Sequence, residues 1–212
     1  IKKLYILFKL GRKLAKSDAL SIFTKFHNPP IGIKILFYLL SLSFSKKDNS
    51  FVNETEGERL SNSLQSMGTT FIKLGQFLAT RPDIIGEKLS KQLESLQDRL
   101  PPFELSKAKE IIKKDLGEDN FNSIINLSEP VAAASIAQVH KAQINDNGTI
   151  KDVAIKILRP NIKKIFNEEI DALMLFAFLT ESIIKKTKRL KLVEVVYLLK
   201  EITNLEMDLR FE

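Results

Sequence analysis

Apolar residues at Leu60, Leu64, Met67, Phe71, Leu74 and Leu78 recur at spacings of four and three, the mark of one buried helix face. The pattern predicts a long helix over residues 54–80, ended by Arg81-Pro82, because proline disfavours helical backbone at the residue before it. Lys73 and Gln76 sit on a different face of that helix, about 60° apart, with Thr80 one turn further along. By itself such a stripe is ordinary solvated surface; its other meaning is a polar face aimed at a second surface.

Ile85 to Leu96 reads as a second helix, and Pro101-Pro102 interrupts the chain. A third helix is predicted over Ser106–Leu116, with Ser106 as its N-cap and Gly117 as its stop. The period then changes. Pro130-Val-Ala-Ala-Ala-Ser-Ile-Ala-Gln-Val-His140 reads as a strand, a tight loop of small residues and a second strand, and Val153-Ala-Ile-Lys156 reads as another strand. Asn145-Asp-Asn-Gly148 is a turn signal between them, so a hairpin is expected to about Leu158. Pro160 opens a helix to about Lys186, apolar at Ile165, Ala172, Leu173, Phe176 and Leu179. Its basic end, Lys185 to Arg189, suits a helix C-terminus. A last helix is expected from about Leu192 into Glu212.

Charge sharpens this division. Residues 1–50 hold 10 Lys and Arg against 2 Asp and Glu, while the remainder holds 23 against 24, so the net +7 resides in the N-terminal quarter. A nucleic-acid-binding domain carries its charge on the folded body and interleaves it with aromatics, so that class is excluded. Ile1 to Lys16 reads as a basic amphipathic helix suited to an anionic membrane surface or lipid, or else as an ordinary packed helix. Ile31 to Phe44 is a second apolar run, too short to span a bilayer unaided. Ser45 to Ser50 is a polar linker. With no cysteine the chain has no disulfide and no thiolate metal site, and two histidines, His27 and His140, are too few and too separated to hold a metal. His140 is expected to be a packing or surface group beside the loop, with a phosphate contact as the alternative.

Lys156 is the lysine hardest to explain as solvated surface, since burying an ammonium among apolar residues costs heavily without a partner. The bland reading is an edge lysine whose stem snorkels. The other is chemical: protein kinases lay a small-residue loop over the phosphates of ATP and bring a Val-Ala-Ile-Lys lysine to them from the next strand. Alanines stand here where ordinary kinases carry glycines.

Taken in order, Lys73-Leu74-Gly75-Gln76, the segment Leu96-Gln-Asp-Arg-Leu-Pro-Pro-Phe103, the loop Ala132-Ala133-Ala134-Ser135, the Lys156 strand, Glu206-Met207-Asp208 and Glu212 make the chain resemble the UbiB family of atypical kinase-like proteins, associated with ubiquinone biosynthesis. The resemblance runs from about Glu56 to Glu212. It implies an α+β fold in which a helical N-terminal extension is packed on the N-lobe of an atypical protein-kinase-like fold, with the C-lobe absent. The expected organisation is a basic, membrane-apposed helical segment over 1–50, a helical extension with the Lys-x-Gly-Gln motif over 51–120, and a partial N-lobe over 121–212.

By the same resemblance Ala132, Ala133, Ala134, Ser135 and Lys156 bind nucleotide. Glu206, Asp208 and Glu212 are candidate ion-pair partners for Lys73 and Lys156. Glu206 and Glu212, six apart on one helix, would lie about 240° apart, so they could not both face one lysine; Glu212 is the expectation for Lys156. ATP and Mg²⁺ are the implied cofactors. The implied partners are a membrane surface or lipid, a complementary C-lobe polypeptide and other ubiquinone-biosynthesis proteins, at the cytoplasmic face of the inner membrane. The chain carries no aspartate catalytic loop and no Asp-Phe-Gly, and starts with Ile, so the expectation is a fragment with half a nucleotide site, no complete catalytic set, no metal ligands and no activity alone. The alternative function is a non-catalytic, membrane-associated helical module that binds lipid or a partner protein.

Overall fold

The computed structural model describes residues 2–16, 55–94, 96, 100–146 and 148–211. The apolar run at 31–44, the linker at 45–50 and Glu212 lie outside the described residues. The chain divides into two compact units, Ile1–Gln97 with Ile165–Glu212, and Asp98–Lys164.

The first unit is helical. It contains α1 (Lys2–Lys16), α2 (Glu56–Met67), α3 (Thr69–Ala79), α4 (Pro82–Ile85), α5 (Glu87–Leu93), α8 (Ile162–Ile183, of which all but the first turn belongs here) and α9 (Leu192–Glu206). The single helix expected over 54–80 is two helices. Gly68 separates them with φ of 108°, a conformation open to glycine, and its N–H bonds back to Gln65 O at 3.3 Å. The apolar repeat runs through this break without a fault. Leu60, Leu64, Met67, Phe71, Leu89 and Leu93 form one buried cluster, with Leu74 and Leu78 packed at its margin. Each such side chain contributes about 1.5–3 kcal/mol on burial. The helix expected over 85–96 is the shorter α5, which starts after Gly86 and ends at Leu93, and α4 is a separate turn before it.

α1 joins this cluster through Ile6 and Leu7, and Lys2 and Lys3 form ion pairs with Glu168 (2.6 Å) and Asp171 (3.0 Å) of α8. On α8 the buried residues are Ile162, Phe166, Ile170, Ala172 and Ala177, whereas Ile165, Phe176 and Leu179, expected on the apolar face, are exposed. The helix is apolar on several sides, so hydrophobic spacing alone does not single out the inner one. α8 stops at Ile183, and the basic run that follows is a separate 3₁₀ helix, Lys185–Leu190. α9 ends at Glu206; a short 3₁₀ turn, Leu209–Phe211, replaces the helix expected to reach Glu212, and the 240° relation between Glu206 and Glu212 falls with it.

The second unit holds α6 (Leu105–Leu116), α7 (Glu118–Asn122) and an antiparallel sheet in the order β1 (Ile124–Ala133), β2 (Ala137–Asp146), β3 (Thr149–Leu158). α6 begins one residue before Ser106, with Glu104 rather than Ser106 at the N-cap; Gly117 at φ 82° ends it as expected. Ala108 and Ile112 of α6 pack on Ile157 of β3, and Phe103, Leu127 and Ile155 close round them. The β2–β3 hairpin is regular from Ala137↔Leu158 to Asp146↔Thr149, with Gly148 at φ 89° and its N–H on Asn145 Oδ1 at 2.8 Å. β1 is longer than the sequence suggests and irregular between Leu127 and Ala132. Pro130 has no N–H to give a ladder, which an outer strand of the sheet tolerates at a bulge.

Candidate functional site

The sheet register decides which side chains share a face. In the ladder, Ala132 pairs with Val139, and Val139 with Lys156, so these three stand in one row across the three strands. Ala154, two residues before Lys156, is on the same face. Ala133, Gln138 and Ile157 form the next row and point to the other face, where α6 packs. Lys156 is half-buried and Ala132 exposed.

Between β1 and β2 the chain reverses through Ala134, Ser135 and Ile136, closed by Ala134 N–H on Ala137 O at 2.8 Å. Ala132, Ala133, Ala134 and Ser135 all keep negative φ, so the loop needs no left-handed backbone and alanine Cβ atoms fit where glycine is the usual choice. Ser135 is fully buried. A polar network behind the loop was not legible in the sequence. His140 is fully buried; its Nδ1 lies 2.7 Å from Ser128 O and its Nε2 2.9 Å from Gln138 Nε2. Phe103 pins the Gln138 amide by both ends, its N–H on Oε1 at 2.9 Å and its carbonyl on Nε2 at 3.1 Å. With Gln138 Nε2 thus a donor, His140 Nε2 must accept and Nδ1 must carry the proton that it gives to Ser128 O. Of the two readings open for His140, this is the packing one. The bulge in β1 frees that carbonyl, and Ser128 Oγ takes the N–H of Lys141 at 3.0 Å in its place.

In the helical unit, Lys73 on α3 lies with its Nζ 2.8 Å from Glu206 Oε2 on α9; the side chains are 12% and 39% exposed. Glu206 Oε2 accepts no aligned hydrogen bond among the described residues, so the contact is a charge pair in the wrong direction for a good hydrogen bond. One turn before each partner stands a buried threonine, Thr70 on α3 and Thr203 on α9, whose hydroxyls have no hydrogen-bond partner among the described residues. Gly75, inside the same motif, is required by packing: a Cβ there would meet Leu96 Cδ2 at 2.5 Å and Leu64 Cδ1 at 2.9 Å. Gln76 is half-buried on α3. Asp208 is engaged with Arg210, Nε to Oδ1 at 2.7 Å and Nη2 to Oδ2, and these bonds first, and charge second, raise the Arg210 pKa above its ordinary value.

Among the described residues no three His, Asp or Glu side chains gather to hold a metal ion, and no helix is long and apolar enough to cross a membrane.

A small helix-backed antiparallel sheet with Lys156 between Ile155 and Ile157 of β3 is consistent with the N-lobe of a kinase-like fold. Residues 95–212 match the ABC1 atypical kinase-like domain, and the chain belongs to that family. It is 37% identical over 166 residues to the "Probable protein kinase UbiB" of Aliivibrio fischeri, covering 77% of this chain and 30% of that protein. The proteins of the same description from Marinobacter nauticus and Azotobacter vinelandii are 38% and 37% identical over 159 and 168 residues, covering 74% and 79% of this chain and 28% and 30% of theirs. The chain thus spans about 30% of the length of the curated relatives it matches.

Proposed function

We propose that this chain forms the upper half of the nucleotide site of a UbiB-type atypical kinase or ATPase that supports ubiquinone biosynthesis. The observation that carries the reading is the row Ala132, Val139, Lys156 on one face of the sheet, beside a loop whose alanines and serine keep ordinary backbone conformations. In this reading Lys156 pairs with the α and β phosphates of ATP, and Ala132 to Ser135 cover them with backbone. Val139 and Ala154 offer a flat apolar patch to the base. These residues fit a nucleotide: a half-buried ammonium in one row with Ala132 and Val139 suits a polyphosphate, whose charge is opposite to its own. Mg²⁺ accompanies ATP in kinases at large. Lys73 and Glu206 pair between α3 and α9, and Gln76 and Asp208 are proposed to act around that pair.

The 212 residues alone should bind nucleotide weakly and show no turnover; joined to a complementary C-lobe polypeptide they should bind Mg-ATP. Nucleotide-induced thermal shift of the joined protein tests this. Lys156→Ala should weaken the apparent affinity by about tenfold or more, the loss of one charge-assisted contact. Equal shifts in wild type and Lys156→Ala would remove the lysine from the site, and brisk ATP hydrolysis by the 212 residues alone would contradict the half-site. We place the protein peripherally at the cytoplasmic face of a membrane, with other ubiquinone-biosynthesis proteins as partners. The support for that placement is α1, which keeps Leu4, Tyr5 and Phe8 exposed beside its lysines.

A further inference from the structure

Arg159 follows directly on β3, three residues after Lys156, and its contacts converge on the alanine-rich loop. Its backbone N–H donates to Ile136 O at 2.9 Å. Its guanidinium donates twice to Ala134 O, from Nε at 3.0 Å and Nη2 at 2.8 Å. The same group reaches the chain before α6, with Nη2 to Leu100 O at 3.2 Å and Nη1 to Pro101 O at 3.0 Å. One side chain therefore joins two segments that are not neighbours in sequence, through three carbonyl oxygens.

We propose that Arg159 is a positioning residue for nucleotide binding: it latches the alanine-rich loop to the Leu100-Pro101 segment and holds the loop in the one conformation that receives phosphates. The proposal rests on the nucleotide reading above and adds to it the device that sets the loop. An alanine loop restricted to negative φ has fewer conformations than a glycine loop, but the backbone hydrogen bond from Ala134 to Ala137 closes only its turn. The guanidinium fixes the loop's outer carbonyl. A trans peptide holds its C=O and N–H antiparallel, so holding Ala134 O also sets the direction of the Ser135 N–H. Arg159 is itself held: Pro160 follows it, and Asn161 turns the chain at φ 58°. Because latch and Lys156 share the end of one strand, loop and ammonium keep a constant spacing. Lysine cannot replace the arginine, since an ammonium lacks the planar fork that reaches three carbonyls at once.

The test uses the chain joined to its complementary C-lobe, with Arg159→Gln and Arg159→Lys beside Lys156→Ala. Two quantities are read: amide hydrogen exchange of residues 132–137 without nucleotide, and Mg-ATP affinity. Both Arg159 variants should speed exchange in that segment and weaken affinity by about tenfold, while exchange in the β2–β3 hairpin stays as in wild type. A latch that served stability alone would lower the unfolding temperature and leave affinity unchanged, and that result overturns the proposal. So does unchanged exchange at 132–137. Where Arg159→Gln does not fold, Arg159→Lys carries the same comparison. Weakened binding in Lys156→Ala with normal binding in both Arg159 variants rejects the latch and keeps the nucleotide site; normal binding in all three rejects both.

Discussion

Lys73 shows what a single residue of the motif does. Its ammonium is mostly buried and its partner Glu206 is partly exposed, so the pair stands between a surface ion pair of about 0–1 kcal/mol and a buried one whose breaking costs about 3–5 kcal/mol. Lys73→Ala or Glu206→Ala should each cost about 1–2 kcal/mol, and a double-mutant cycle should return about 1 kcal/mol of coupling. Exchanging the two charges should recover part of the loss, and chemical denaturation of the five proteins measures it. Additive single effects would mean that the charges do not sense each other. Thr70 and Thr203, buried one turn before the two partners, have hydroxyls with no hydrogen-bond partner among the described residues. Gly75 supplies the close approach on the opposite side of α3 through Leu64 and Leu96, so one short motif contains both an ion pair and a packing glycine.

At the scale of elements, α2 carries a capping box. Thr55 N–H donates to Glu58 Oε2 at 2.7 Å and Thr55 Oγ1 accepts from Glu58 N–H at 3.3 Å. The Thr55 backbone N–H first, and its hydroxyl second, hold the Glu58 carboxylate below the usual glutamate range. A depressed folded-state pKa stabilises the protein fully above the unfolded value and stops doing so as pH falls through the folded one. Stability should therefore lose the cap's contribution on the acid side of the glutamate range, and Glu58→Gln should lack that step; curves of equal shape in the two proteins would reject the cap as its source. The apolar faces of α2 and α3, the β2–β3 hairpin with its Asn145-to-Gly148 turn, and the Gly117 stop were legible in the sequence. The break at Gly68 was not, because the 4–3 repeat continues across it. Nor was the inner face of α8, a helix apolar on several sides. Of the candidate site, Lys156 and the alanine loop could be named from local pattern. The Gln138–His140 network and the Arg159 latch could not, since their partners Phe103, Ser128, Leu100 and Pro101 come from segments 12 to 59 residues away.

At the scale of the whole molecule the question is what the uneven charge attracts. Residues 1–50 carry ten basic against two acidic side chains, and the rest of the chain is close to neutral. α1 is the described part of that quarter. It turns Ile6 and Leu7 into the helical core and leaves Leu4, Tyr5 and Phe8 between 47% and 66% exposed, with Phe8 beneath the Arg12 guanidinium at 5.7 Å. Lys2 and Lys3 spend part of their charge on Glu168 and Asp171, and Lys9 and Arg12 are further cations on the same helix as the exposed apolar residues. An interfacial helix needs both components, apolar side chains to enter the headgroup boundary and cations to meet anionic lipid. Each basic side chain near such a surface contributes about 1 kcal/mol, an attraction that salt screens within a Debye length. Flotation with vesicles should therefore require anionic lipid and fall as salt rises. Leu4→Ser with Phe8→Ser should weaken it while leaving the Ile6 and Leu7 packing intact. Flotation that is the same on zwitterionic vesicles, or that ignores both the serine pair and salt, would remove the membrane from the account of α1 and leave it as a packed helix of the first unit.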